Sequence, residues 1–128
     1  MRCSIKDVAK VLRVIEATPH EDVGDDCLTI LRLLTVREAY VLMPSEDIVF
    51  VMEPLGGKRF SLHVAAMRNY NHTVADGVKA VNWMFANTDC KEILGLVPAH
   101  RRDVSIYAMR LCRAVKGKKD GIIYRVRR

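Results

Sequence analysis

The run Arg59-Phe60-Ser61-Leu62-His63-Val64-Ala65-Ala66, then Met67-Arg68-Asn69-Tyr70-Asn71-His72-Thr73, then a helical pattern to Asn87 and a strand pattern over 92–97, decides the architecture. In the first segment Phe60, Leu62, Val64 and Ala66 face one way and Ser61, His63 and Ala65 the other, the period of a strand. The next seven residues are polar, and Thr73 is placed to cap a helix from Val74 to about Asn87. Val74, Val78, Val81 and Phe85 recur at helical spacing and predict its buried stripe. Trp83 then falls on the opposite arc with Asp76, Lys79 and Asn87, where it needs cover from a loop or a partner surface. Glu92-Ile93-Leu94-Gly95-Leu96-Val97 reads as a strand ended by Pro98. Strand, helix and strand in this order predict a β-α-β crossover.

Upstream, Ala39–Met43 and Ile48–Glu53 are β-rich runs bounded by Pro44-Ser45-Glu46-Asp47 and Pro54-Leu55-Gly56-Gly57. Those separators are turn chemistry, so the three strands read as an antiparallel meander. Ser4 and Asp7 form an N-cap pair before Ile5, Val8, Val11, Leu12 and Ile15, which predict a helix over 5–17 stopped near Pro19. A second helix is expected from about Asp22 to Leu34, with Val23, Cys27, Leu31 and Leu34 on one face. Glu21, Asp22, Asp25 and Asp26 cluster at its start. Their spacing does not match a calcium loop, and acidic residues suit a helix N-terminus, so no metal site is expected. Downstream, Val104, Tyr107, Ala108, Leu111 and Val115 mark the inner face of a helix over Arg102–Ala114. After Lys116-Gly117-Lys118-Lys119-Asp120-Gly121, Ile122–Val126 is the final strand. The order α-α-β-β-β-α-β-α-β predicts one α/β domain over 1–128 with a mixed sheet.

Half of the residues are apolar and 28% are charged, which excludes a mainly disordered chain. No apolar run approaches the ~18 residues of a membrane span. Lys6, Asp7, Lys10 and Arg13 interrupt every candidate signal-peptide core, so a cytoplasmic protein is expected. Cys3, Cys27, Cys90 and Cys112 lack any C-x-x-C spacing and are expected to be free thiols. The net charge of +6 is uneven: residues 110–128 carry eight basic side chains against Asp120 alone, +7, leaving −1 for the rest. Such an end is either a solvated face or an electrostatic contact for phosphate or an acidic surface. Arg125 and Arg127 alternate onto one face of the last strand, a geometry able to track DNA phosphates.

The element order, together with Trp83-Met84-Phe85-Ala86-Asn87-Thr88-Asp89-Cys90 and Val97-Pro98-Ala99-His100-Arg101, resembles the GNAT superfamily of N-acetyltransferases. The W-x-F-x-N-T-x-C run is most similar to a phage-encoded GNAT-like branch that includes head-assembly proteins of short-tailed lambdoid phages. The resemblance implies a GNAT-like mixed sheet and an acetyl-CoA site. It places the cofactor against Val64 and Ala66 of the third strand, and its pyrophosphate on a loop reading R/Q-x-x-G-x-G/A. Here Arg68 fits the first position, while Asn71 and Thr73 replace both small residues. Asn71 tolerates a left-handed backbone; the β-branched Thr73 takes up space the phosphates need.

In the same family a tyrosine on the following helix protonates the CoA thiolate. Here Ala108 holds that register, and Tyr107 is one residue off, about 100° round the helix. Tyr107 would more easily be a core tyrosine. Arg101, Cys112 and Arg113 also depart from the pattern. A general base on the middle strands could be His63 or Glu53, His63 having an intrinsic pKa near neutrality; a lone strand histidine is also often structural. These departures together imply a non-catalytic accessory in phage head assembly or DNA delivery in the bacterial host cytoplasm. Its contacts would be Trp83, Arg125 and Arg127, and its partners virion proteins or DNA. The alternative is acetyl-CoA-dependent transfer to an amine.

Overall fold

The computed structural model describes residues 1–17, 27–35, 37–97 and 100–128. The elements are α1 (Val8–Ala17), α2 (Cys27–Thr35), β1 (Tyr40–Ser45), β2 (Ile48–Gly56), β3 (Arg59–Ala66), α3 (Thr73–Asn87), β4 (Glu92–Leu96), α4 (Arg102–Ala114), β5 (Lys118–Asp120) and β6 (Ile123–Arg127). They build one six-stranded mixed sheet in the order β1-β2-β3-β4-β6-β5. The β3–β4 pair is parallel and joined through α3, the crossover expected from the sequence; β1–β2, β2–β3, β4–β6 and β5–β6 are antiparallel. The start of the second helix, with Glu21, Asp22, Val23, Asp25 and Asp26, lies outside the described residues, as do Pro19 and Pro98.

Alternation along the strands divides the core in two. Val41, Val49, Val51 and Ala65 pack under Val11, Val14 and Ile15 of α1. Leu42, Ile48, Phe50, Met52 and Phe60 pack under Ala80, Val81 and Met84 of α3. The N-terminus adds a contact at the sheet edge: Arg2 bridges Leu42, and the Cys3 amide donates to the Val41 carbonyl. Ser4 and Asp7 form the expected capping box, on a 3-10 turn (Ile5–Asp7) that leads into α1. Ile5, expected on the inner face, is instead exposed on that turn, and Val14 takes the buried place.

Both proline-containing separators are partly strand. β1 continues through Pro44 to Ser45, and β2 through Pro54 to Gly56, each with a register shift near the proline. Proline lacks an N–H, so the ladder bulges past it rather than stopping. β5 falls in the segment before the expected final strand, where the sequence predicts no strand; its Lys118, Lys119 and Asp120 are exposed, and an all-charged edge strand leaves no apolar alternation to read.

The inner face of α3 differs from the expected stripe. Asp76, Gly77, Ala80, Val81 and Met84 are buried, whereas Val74, Val78 and Phe85 are half-buried. The helix lies close, and small residues permit the approach. A Cβ on Gly77 would sit 2.7 Å from Leu111 Cδ1 and 2.7 Å from the Tyr107 hydroxyl of α4. Trp83 is half-buried and packs edge-on against Tyr40 at 5.8 Å, so β1 covers it; Arg2 stacks 4.3 Å from the Tyr40 ring.

The Trp83–Cys90 run works as a helix stop. The Thr88 hydroxyl donates to the Met84 carbonyl (2.6 Å) and accepts the Cys90 amide (3.0 Å), while Asn87 Nδ2 donates to the Trp83 carbonyl. Thr88→Val removes both hydroxyl bonds and should cost about 1–2 kcal/mol, read as a lower urea midpoint.

Cys3, Cys90 and Cys112 are free thiols. Burial, aided by Asp7, pushes the Cys3 thiol up from 9.0 to about 11. A raised thiol stabilises the fold below its ordinary value, and that contribution is lost as pH climbs toward about 11. Site-resolved alkylation at about pH 8 should therefore label native Cys3 roughly 100-fold more slowly than an unfolded cysteine, through its lower thiolate fraction.

Candidate functional site

Only three residue pairs join β3 to β4: Arg59–Glu92, Phe60–Ile93 and Ser61–Leu94. Beyond them β3 runs on to Ala66, still paired with β2, and β4 runs on to Leu96, still paired with β6. The two strands therefore part after Ser61 and Leu94. A cavity of about 110 Å³ occupies the opening. Leu62, His63 and Val64 form one wall and Gly95, Leu96 and Val97 the other, with α4 across it through Val104, Tyr107, Ala108 and Leu111, and Arg101 at its N-cap. The half-buried state of α4's inner residues follows from this gap between helix and sheet.

His63 stands just past the point of parting, its Nε2 3.1 Å from the Ser61 hydroxyl. Glu53 pairs directly with Ser61 across β2–β3, so Glu53, Ser61 and His63 share the α1 face of the sheet. Tyr107 comes from α4, on the opposite face, and its hydroxyl donates to the Thr73 carbonyl at 2.9 Å. Burial, with Asp76 nearby, holds its phenol well above the ordinary range. Of the three catalytic candidates, His63 and Tyr107 line the cavity and Glu53 does not.

The cofactor candidates are spread along one path. Val64 lines the cavity, Ala66 closes β3 opposite Ile48, and Arg68 and Asn71 are exposed in the loop. The left-handed residue is Asn69 (φ 68°), in a tight turn closed by the Tyr70 amide on the Met67 carbonyl; Asn71 does not adopt it. Thr73 is the first residue of α3 rather than its cap. His72 stands at the cap without a side-chain bond.

Sequence reasoning missed Tyr70 and Asp76. Asp76, expected on the outer arc with Trp83, is 3% exposed. The Tyr70 hydroxyl donates to Asp76 Oδ2 and accepts from Ser45 Oγ at 2.9 Å, and Lys79 Nζ lies 3.8 Å from the other carboxylate oxygen. The bond to Asp76 holds the Tyr70 phenol above its ordinary range. The signal available was the i, i+4 series Asp76, Ala80, Met84 beside Gly77, Val81. Its small and charged members gave it little hydrophobic contrast.

The partner candidates are strand residues. Arg127 Nε bonds Glu92 Oε2 at 2.7 Å, with the arginine side chain 72% exposed. Arg125 Nε is buried and has no acceptor among the described residues. The basic C-terminus is therefore part of the sheet rather than a free tail: β6 lies between β4 and β5. Among the described residues no group of three metal-ligating side chains forms, and no helix is long and apolar enough to cross a membrane.

Solved structures share this architecture. An acetyltransferase of the GNAT family from Streptococcus pneumoniae superposes with a TM-score of 0.69 at 8% identity, over 100% of this chain and 98% of that one. The ribosomal-protein-S5-alanine acetyltransferase from Vibrio fischeri gives 0.67 at 8% identity, over 99% and 91%. No protein-family model and no curated protein matches the sequence. The chain has the GNAT acetyltransferase fold.

Acetyl-CoA, the cofactor implied by that fold, fits these residues only in part. The opening between β3 and β4 suits an extended, mostly apolar arm. The phosphate end does not fit. Asp76 puts a buried carboxylate in the first turn of α3, already satisfying the positive end of that helix. A second anion brought to the same turn would be repelled by that carboxylate.

Proposed function

We propose that this chain works by binding rather than catalysis, as a phage-encoded accessory in head assembly or DNA delivery built on the acetyltransferase fold. The observation that carries the reading is the buried Asp76 carboxylate, bonded to Tyr70, in the turn that would have to hold a pyrophosphate. Two features add support: the Tyr107 hydroxyl is committed to the Thr73 carbonyl, and the Trp83–Cys90 run resembles phage assembly proteins. Exposed cationic side chains at Arg127, Lys118 and Lys119 offer an electrostatic contact for a virion protein or DNA.

Calorimetry with acetyl-CoA tests the reading. The unaltered chain should show no saturable heat at about 1 mM ligand, and Asp76→Leu should bind at least tenfold more tightly than the unaltered chain. Micromolar binding by the unaltered chain, weakened by Arg68→Ala, would overturn it.

A second reading, acetyl transfer to an amine, is favoured by the cavity at the β3–β4 opening. His63 stands in its wall as a proton acceptor, hydrogen-bonded to Ser61.

A further inference from the structure

We infer that the outer face of α4 is a docking surface for an acidic amphipathic helix of a partner protein, seated along Arg102, Ile106, Met109 and Arg113. Those residues follow one another by four, three and four positions. At about 100° per residue they fall within roughly 60° of one another on the helix, in a line roughly 16 Å long. All four are exposed. Val104, Tyr107, Ala108 and Leu111 occupy the opposite side and line the cavity. That inner side accounts for the packing of α4 on α3, β5 and β6, and leaves the outer line without a structural role.

Ile106 and Met109 are 47% and 46% exposed, neighbours at the centre of the line. A single exposed apolar side chain is ordinary; two side by side, with a cation beyond each, form a patch. The charges are not those a solitary helix would favour. Arg110 and Arg113 lie near the C-terminal end, where the helix dipole stabilises a cation, but Arg102 opens the helix, where the dipole opposes one. The one acid of α4 is Asp103, and its ion pair is with Arg101 at 3.6 Å. Arginine and methionine are also among the side chains enriched in protein interfaces.

Charge complementarity decides the occupant. An acidic helix laid along α4 meets Ile106 and Met109 with its apolar seam, and meets Arg102, Arg110 and Arg113 with carboxylates that match the guanidinium fork. The phosphates of a nucleic acid would satisfy the arginines but cover Ile106 and Met109 with nothing apolar. A second copy docked about a two-fold axis would bring this face against itself and set its arginines together. Tyr124 and Val126 face α4, whereas Arg127 and Lys118 alternate onto the other side of the sheet. The surface is therefore separate from the cations of the reading above, and neither acetyl-CoA nor a role in head assembly enters its test.

Amide correlation spectra of the full chain test it. The probe is a blocked synthetic helix of about 18 residues made of Glu, Ala and Leu, with leucines spaced alternately by three and four. Saturable shifts centred on Ile106, Met109, Arg110 and Arg113, half complete below about 1 mM peptide, are the expected result. A peptide with Gln for every Glu, and one with Ala for every Leu, should each bind at least tenfold more weakly. Met109→Ser and Arg113→Glu should each weaken the acidic peptide at least tenfold, while Lys118→Gln leaves it unchanged. If a variant does not fold, the three peptides on the unaltered chain decide the question. Equal binding of the Gln peptide, no saturable shift, or shifts centred elsewhere would overturn the surface. So would duplex DNA, phosphatidylglycerol vesicles or self-association of the chain, if any of them engages the same amides more strongly than the acidic peptide.

Discussion

Tyr70→Phe lowers the stability of the fold by about 3 kcal/mol, and adding Asp76→Leu recovers most of the loss. The single change removes one hydroxyl, but its consequence falls on the partner. Among the described residues Asp76 is left buried with Lys79 alone, at 3.8 Å, and that lysine is largely in solvent. Breaking a buried charged pair from one side costs about 3–5 kcal/mol, whereas replacing the charge with an apolar side chain of similar size is often neutral. Ser45, which donates to Tyr70, can turn to water or to its own strand end, so it adds little to the loss. Urea midpoints of the two single variants and the double variant measure the coupling directly. A double variant as unstable as Tyr70→Phe would mean that the phenol ring's packing, not the carboxylate, sets the effect. The same Asp76→Leu chain enters the acetyl-CoA titration, so stability and ligand affinity are read on one protein.

The second large effect is at the α3–α4 contact. Gly77→Leu should destabilise the chain by about 3 kcal/mol, the upper end of what overpacking costs. A Cβ alone would already stand 2.7 Å from Leu111 Cδ1 and from the Tyr107 hydroxyl, so a full leucine cannot enter without moving α4. Helix propensity acts in the opposite direction, by about 1 kcal/mol, and is too small to compensate. Ala75→Leu, on the exposed side of the same helix, is the control and should be near neutral. Leu111→Ala in the Gly77→Leu background should restore part of the loss by opening room. Because Tyr107 and Leu111 also line the cavity, Gly77→Leu should shift the amides of Val104 and Ala108 even without ligand.

The sequence carried the element order well where the pattern was local and apolar. The alternation of Arg59–Ala66, the helical spacing to Asn87 and the return strand at Glu92 were enough to specify the β-α-β crossover. It failed at Pro44 and Pro54, since proline marks a turn in general but a bulge when the flanking residues still pair. It failed again at β5, whose charged residues have no apolar face to announce a strand. The candidate site was legible in part. His63 and Val64 were placed on the strand that walls the cavity, and Arg68 in the exposed loop after it. The inner face of α3 was misjudged because valine and phenylalanine outweigh glycine and alanine in any hydrophobic count, although close packing favours the small residues.

What the sequence determined by itself are the features that neighbours along the chain settle: the Ser4–Asp7 capping box, the helix end near Asn87, the alternation of β3 and the order of helices and strands. The parting of β3 from β4, the buried Asp76 beside Tyr70 and the cover that Tyr40 gives Trp83 were decided only by the tertiary structure. Each depends on which distant segment arrives alongside. Tyr107 reaches Thr73 across 34 residues, and Arg127 takes Glu92 across 35. Periodicity reports which face of an element is apolar. It does not report what meets that face, and it is the meeting that buries a charge.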